Sequence, residues 1–179
     1  MKKKILSVLS ALLVSVFLTT SALAGASIKL SSVTFSLGSL IANGTLTGLG
    51  RTDVTVVLDA SGVPVITCTN NGSNDVRGQS SPKVSASGEQ SLLGNDPIRK
   101  NGKSPFDVET TDPDVIAWDA AGCPNANWTG HVDFIYWTEA TISVYDTATY
   151  SPSAQPLTQR NYTCTTTRFP ASVSCTLVP

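Results

Sequence analysis

Few residues in this chain could carry out acid–base or nucleophilic chemistry. It has a single histidine, His131, and only three glutamates. Activation of a serine or cysteine for hydrolysis usually requires a histidine base, and His131 lies in a strand-like stretch with no motif that presents a nucleophile. We therefore interpret His131 as a structural strand residue and predict that the protein is not an enzyme.

The carboxylates are the second source of chemistry. A glycosidase needs two carboxylates on either side of a sugar, and Glu109 and Glu139 both fall in strand-like segments that could share a sheet face. The simpler interpretation is that both point into solvent. Calcium favours clustered oxygen ligands, which the acidic run of Asp107, Glu109, Asp112 and Asp114 could supply. The run lacks the spacing of a known calcium-binding loop. We predict no metal site and no cofactor.

The aromatic residues suggest binding rather than catalysis, because flat rings stack on sugar faces and are frequent at binding surfaces. Trp128, Trp137 and Tyr136 are the candidate ligand-binding residues, and a glycan or surface polymer is the candidate partner. The alternative is that these rings fill a β-sheet core. In that case Trp128, which follows Cys123 closely, would pack on a disulfide.

The basic residues are too few for a polyanion site. Arg99, Lys100 and Lys103 form a small basic group that we interpret as a solvated hairpin end, and Arg168 could serve as the exposed residue of a protease inhibitor. The net charge of −1 becomes −4 if a leader with three lysines and no acid is removed. Nucleic acid and anionic membranes reward dense Lys/Arg clusters, so we exclude them as partners.

The N-terminus has the layout of a secretory signal peptide. Lys2 to Lys4 are basic, Ile5 to Leu18 form a largely apolar run, and Ala22 and Ala24 give the small-residue cleavage pattern. The run is shorter than the roughly 20 residues of a membrane-spanning helix, although a retained N-terminal anchor is the alternative. Cleavage would leave Gly25 first.

We therefore predict a signal peptide at residues 1–24 and one secreted domain at residues 25–179, with no membrane anchor after cleavage. The remaining 155 residues suffice for one hydrophobic core. An even number of cysteines in an exported chain predicts disulfides, and no C-x-x-C pattern supports a redox or zinc site. The four cysteines are Cys68, Cys123, Cys164 and Cys175.

Strand symmetry predicts the disulfide pairing. If the last hairpin turns at Phe169-Pro170, Cys164 and Cys175 lie directly opposite each other, within disulfide range. By elimination, Cys68 then pairs with Cys123.

The mature chain shows period-two alternation and no long helical period, which predicts an all-β fold: an antiparallel β-sandwich or a flattened barrel. Residues 53–59 and 63–68 are predicted to form a hairpin that turns at Gly62, with Pro64 at a sheet edge. A second hairpin tip is predicted at Asn101-Gly102.

The most strand-like segment runs from residue 131 to 145. It is predicted to form either one long bent strand or two strands joined near residues 137–139. One face would carry five apolar residues at even positions: Val132, Phe134, Tyr136, Ile142 and Val144.

Several runs resemble a group of small exported bacterial proteins with no assigned activity. These are Gly48 to Val56, Cys68 to Gly72, Lys100 to Phe106 and Gly122 to Trp128. The resemblance implies bacterial export and transfers no functional residue. We predict a non-catalytic secreted structural or interaction domain. A carbohydrate-binding module is the first alternative and a small glycosidase the second.

The export hypothesis predicts a mature N-terminus at Gly25, because the small-residue pattern ends at Ala24. N-terminal sequencing of the secreted protein measures this directly. Secreted material that begins at Met1 would contradict it.

Overall fold

The computed structural model describes residues 27–99, 102–151 and 153–179. The predicted signal peptide lies outside these residues. The described parts contain no helix, and therefore none long and apolar enough to cross a membrane. They form ten strands: β1 (Lys29–Ser36), β2 (Ile41–Thr47), β3 (Val54–Asn70), β4 (Asp75–Arg77), β5 (Val84–Leu92), β6 (Lys103–Glu109), β7 (Val115–Ile116), β8 (Trp128–Asp146), β9 (Thr158–Arg168) and β10 (Ala171–Leu177).

The strands belong to two antiparallel sheets, so the all-β prediction is confirmed and the flattened-barrel alternative is wrong for the described residues. The large sheet has the order β10-β9-β8-β3, with β5 and β4 sharing the far side of β3 and the short β7 pairing with β8. The small sheet has the order β1-β2-β6.

The main hydrophobic core joins residues of both sheets. Leu46 and Phe106 of the small sheet belong to the same buried cluster as Leu58, Ile142 and Trp137 of the large one. Sheets with one apolar face are stabilised by burying those faces against each other. A second, smaller cluster surrounds one disulfide, and it consists of Ile66, Cys68, Ala121 and Cys123.

The predicted hairpin at residues 53–68 is wrong, because this segment is the single 17-residue strand β3. Gly62 is no turn residue. A Cβ at Gly62 would lie 2.6 Å from the carbonyl oxygen of Tyr136 on β8, so glycine allows a close approach of the two strands. Pairing with β8 along the whole of β3 overrides the local turn signal.

Pro64 lies inside the large sheet and not at its outer edge. Its missing N–H nevertheless interrupts no hydrogen-bonded pairing between β3 and a neighbouring strand. On the β4/β5 side of β3, pairing with β5 ends at Gly62 and pairing with β4 begins at Thr67. Ile66 accepts a hydrogen bond from Gly78 on this side, and Pro64, two residues earlier, directs its nitrogen the same way. Proline therefore occupies a stretch where β3 has only one strand neighbour.

Segment 131–145 belongs to one long strand, the 19-residue β8, so the first of the two predicted alternatives is confirmed. The strand pairs with the 17 residues of β3 because two of its residues, Asp133 and Thr138, are extra residues at β-bulges. Each bulge shifts the alternation by one residue.

The prediction that five apolar residues of β8 share a face is wrong for this reason. Val132, Ile142 and Val144 pack in the core, whereas Phe134 and Tyr136 lie on the opposite face of the sheet.

The predicted hairpin at Asn101-Gly102 is also wrong, because the flanking strands β5 and β6 belong to different sheets. Asn101 lies outside the described residues, whereas Gly102 has the positive φ of 71° that a turn glycine adopts. Arg99 is not a solvated hairpin end. Its guanidinium donates hydrogen bonds to the carbonyl oxygens of Thr52 and Leu92, at 3.0 and 2.8 Å.

Both predicted disulfides are confirmed. Cys164 lies directly opposite Cys175 in the β9–β10 hairpin, with Arg168 paired to Ala171 around the turn. The second bridge joins Cys68 to Cys123 and ties β3 to the loop before β8. Trp128 packs against this disulfide cluster, as predicted in the alternative to ligand binding.

The two bridges should differ in their effect on stability. The Cys68–Cys123 bridge spans 55 residues and Cys164–Cys175 spans 11. Loop entropy then predicts losses of about 4 and about 3 kcal/mol in the free energy of unfolding for the two double Cys→Ala variants. Urea denaturation tests the order, and a larger loss for the 164–175 variant would contradict it.

Candidate functional site

The structure separates the three residues predicted to bind ligand. Trp137 is only 2% exposed and lies in the main core, so its assignment as a contact residue is wrong. Because Thr138 is an extra residue at a bulge, Trp137 lies on the same inward face of β8 as Ala140. Trp128 is half-buried against the disulfide cluster. Tyr136 lies on the outer face of the large sheet, the face turned away from the small sheet.

Three grooves follow the outer face of β3 from one end to the other. The tyrosine groove, of about 520 Å³, lies at Val57 and Asp59. The serine groove, of about 380 Å³, shares Asp59 and includes Ser61. The arginine groove, of about 430 Å³, lies at Val65 and Thr67 and includes Tyr136 and Arg168.

Adjacent strands supply most of the tyrosine groove. Asp59 comes from β3, Glu89 from β5 and Tyr145 from β8, all with side chains on the outer face. Tyr150 comes from the loop after β8 and lies with its ring centre 5.0 Å from that of Tyr145. The result is a pair of aromatic rings beside carboxylates.

The small sheet contributes one more carboxylate, Glu109, at the end of β6. It reaches the groove because β6 runs against Gly88 of β5: a Cβ at Gly88 would lie 1.8 Å from the carbonyl oxygen of Glu109. Thr111 then donates its N–H to the carbonyl oxygen of Ser87. Glycine at position 88 is therefore a requirement for bringing Glu109 to this site.

The environment of the tyrosine groove opposes negative charge. The Asp59 side chain is exposed to solvent, but the surrounding groove removes part of the water around its carboxyl group, and this desolvation raises the pKa of Asp59 above its ordinary value of 3.8. The pKa of Tyr150 is also raised, first by burial and then by the carboxylate of Glu89, to which its hydroxyl is directed. Both groups therefore hold their protons more strongly than they do in water.

The serine groove has a different electrostatic character. The carboxylate of Glu139 accepts hydrogen bonds from Lys83 at 2.7 Å and from Ser61 at 3.0 Å. The hydrogen bond from Lys83, and then that from Ser61, lowers the pKa of Glu139. Glu139 and Glu109 lie in separate grooves, so the structure does not bring together the predicted glycosidase pair.

The arginine groove lies below the tip of the β9–β10 hairpin. The Phe134 and Tyr136 rings meet edge to face, with centres 5.1 Å apart. The Arg168 guanidinium lies 5.9 Å from the centre of Phe134 and 5.3 Å from that of Phe169. Arg168 is exposed and packs against these aromatic rings, and the neighbouring Phe169 is 85% exposed.

The remaining acidic residues do not converge on a metal site. Asp112 accepts a hydrogen bond from the Thr110 hydroxyl at 2.7 Å, and that hydroxyl accepts one from the N–H of Leu40. This chain of bonds holds the segment after β6 against the β1–β2 turn. Among the described residues, no group of three or more His, Cys, Asp or Glu side chains is placed to hold a metal ion.

Comparison of the chain with protein-family models, with curated proteins and with solved structures finds no match. The resemblance to small exported bacterial proteins stays a prediction.

Sequence reasoning missed Tyr145, Tyr150, Asp59 and Glu89. For Asp59, Glu89 and Tyr145 the signal was the outward parity of β3, β5 and β8, which becomes readable only when β3 is treated as one unbroken strand. Tyr150 lies in the loop after β8, where strand parity gives no signal.

The raised pKa of Asp59 gives a pH-dependent prediction. Because the folded pKa exceeds the unfolded one, ionisation of Asp59 costs stability as the pH rises from 3.8 through the folded value. Asp59→Asn should therefore unfold at a higher urea concentration than the wild type at pH 7, and the difference should vanish below pH 3.8.

Asp107→Asn, on the exposed side of β6, is the control for losing one negative charge. A destabilised Asp59→Asn protein at pH 7 would show that the Asp59 carboxylate stabilises the fold, which contradicts the destabilising effect expected of a partly desolvated charge.

Proposed function

We propose that this protein is an exported, non-catalytic β-sandwich domain that binds a glycan along the outer face of its large sheet. The observation that carries the proposal is the tyrosine groove, where a tyrosine pair and three carboxylates line one open space of about 520 Å³. The two disulfides support an oxidising, extracellular location.

The chemistry of the groove suits sugars. Carboxylates accept strong hydrogen bonds from hydroxyl groups, and Asp59, Glu89 and Glu109 offer them from three directions. Tyrosine rings provide flat apolar area for the C–H faces of a sugar ring, with a polar hydroxyl at the edge. Ser61, Ser85 and Ser87 continue the polar lining into the serine groove.

The charge of the groove narrows the class of glycan. Three carboxylates line the tyrosine groove, and no lysine or arginine is among its described lining residues. Like charges repel within a Debye length of about 8 Å, so sulfated or uronic-acid polymers are disfavoured. Neutral and amino-substituted sugars are the expected ligands.

The arrangement of the grooves favours a chain over a single sugar. From Val57 to Thr67, β3 advances ten residues, or about 33 Å at 3.3 Å per residue. Tyrosine side chains stand at both ends of this length, in the tyrosine and arginine grooves. An extended polymer would contact both.

A glycosidase is the second candidate, and one observation favours it. A general acid needs a raised pKa, and Asp59 has one in a groove that also holds Glu89 and Glu109. If the protein turns over a glycan and Asp59→Asn abolishes turnover without abolishing binding, the enzyme hypothesis replaces the non-catalytic one.

The binding proposal predicts that Tyr150→Ala weakens binding to neutral or amino glycans about tenfold, because the ring supplies contact area and a stacking face. Isothermal titration against glycans selected on an array measures the change. Trp118→Ala is the matched control, since Trp118 has a similar exposure and lies outside all three grooves.

Equal losses in the two variants, or an unchanged affinity for Tyr150→Ala, would contradict this site. Binding of basic peptides in place of glycans would show that the carboxylates serve a cationic partner instead.

A further inference from the structure

The large sheet ends at β10, which packs against β1 of the small sheet but has no hydrogen-bonded partner strand along its outer edge among the described residues. Val178 donates its N–H to Asn161 on β9. Because backbone groups alternate along a strand, every second residue before Val178 also faces β9, and the others face outward. The N–H and C=O groups that face outward belong to Ala171, Val173, Cys175 and Leu177.

Other edges of the two sheets are protected. β5 is covered on its outer side, where Thr111 donates its N–H to the carbonyl oxygen of Ser87 and the backbone of Glu109 lies against Gly88. β1 is interrupted by a bulge between Ser31 and Thr34, where Ser32 has a φ of 54°. β6 carries Pro105 and three charged residues, and the Gln90 side chain accepts the N–H of Asp107. β4 and β7 have only three and two residues. Charges, proline, bulges and short length are the usual protection against strand pairing.

β10 has none of these features. Its seven residues, Ala171–Leu177, are uncharged and contain no proline, and they pair with β9 without a register shift. The Cys164–Cys175 disulfide also fixes the strand to its neighbour. An edge of this kind is ready to pair with another strand.

We propose that β10 pairs antiparallel with β10 of a second copy, about a two-fold axis through Ser174. In this register Ala171 opposes Leu177 and Val173 opposes Cys175, on the face of the sheet that faces the core. On the other face, Ser172 opposes Thr176. Apolar side chains therefore meet apolar ones, and hydroxyl side chains meet hydroxyl ones, so the strand is self-complementary, as a two-fold interface requires. No like charges meet.

The dimer would join the two large sheets into one continuous sheet. The four outward-facing residues of each copy then form four narrow pairs, with about eight backbone hydrogen bonds in total. The pairing does not involve the glycan grooves and does not depend on them. It would place two tyrosine grooves in one particle, which raises avidity for a polymer.

The test places a charge on the two-fold axis. Ser174 is exposed, and Ser174→Lys sets two lysines directly opposite each other in the dimer only. Thr165, its exposed partner on β9, provides the matched control. In the dimer, two Thr165→Lys side chains lie three strand spacings apart, about 14 Å, and beyond a Debye length of about 8 Å.

Sedimentation velocity of the mature wild-type protein over a concentration series should show a monomer–dimer equilibrium. Ser174→Lys and Ser174→Glu should each weaken dimerisation at least tenfold, and an equimolar mixture of the two should restore it. Thr165→Lys should dimerise like the wild type, and circular dichroism should show the same β spectrum for all variants.

A wild-type protein that is monomeric at every concentration would overturn the proposal. So would equal weakening by Ser174→Lys and Thr165→Lys, or a mixture of the Lys and Glu variants that fails to associate. None of these results bears on glycan binding, which is measured separately.

Discussion

The pairing of β3 with β8 is the constraint on which the rest of the structure depends. All seventeen residues of β3 pair with β8, and the other strands of the large sheet attach to one of these two, except β10, which pairs with β9. A ladder of 17 residue pairs leaves little freedom in register, because a slip of one residue would exchange the buried and exposed faces. The pair therefore decides which side chains build the core and which lie on the outer face of the sheet.

The two bulges decide which residues of β8 face the core and which face outward. Asp133 and Thr138 each add one residue to β8, so the core receives Val132, Ile135 and Trp137 at a spacing that strict alternation would not give. Phe134 and Tyr136 are turned to the outer face by the same shifts. Asp133 also accepts a hydrogen bond from Thr67 there, at 2.7 Å. A β8 strand without bulges would place its aromatic residues differently on the two faces.

The outer face carries features that stability alone does not require. Asp59 is partly desolvated in the middle of a sheet, and Glu109 is brought against Gly88 from the other sheet. Both arrangements cost free energy, since desolvation disfavours a carboxylate and glycine in a strand loses more conformational entropy than alanine. The glycan site proposed above would account for such costs, because function can require groups that stability disfavours. The contrast with the apolar inner face distinguishes the two sides of one sheet.

Local patterns in the sequence determined the all-β class, strand structure at residues 131–145, the β9–β10 hairpin and the Cys164–Cys175 disulfide. Each of these follows from alternation, turn chemistry or strand symmetry over short separations. The Cys68–Cys123 disulfide spans 55 residues and followed only by elimination. The sequence misled where local turn signals conflict with long-range strand pairing. Gly62 predicted a hairpin turn and Pro64 predicted a sheet edge, but the 17 residue pairs between β3 and β8 override both signals. The bulges leave no signal in composition, so Trp137 was predicted outside and lies inside. The tyrosine groove gathers residues from β3, β5, β6, β8 and a loop. Only tertiary structure decides such a site, because the packing of the two sheets brings Glu109 to Asp59 from 50 residues away along the chain.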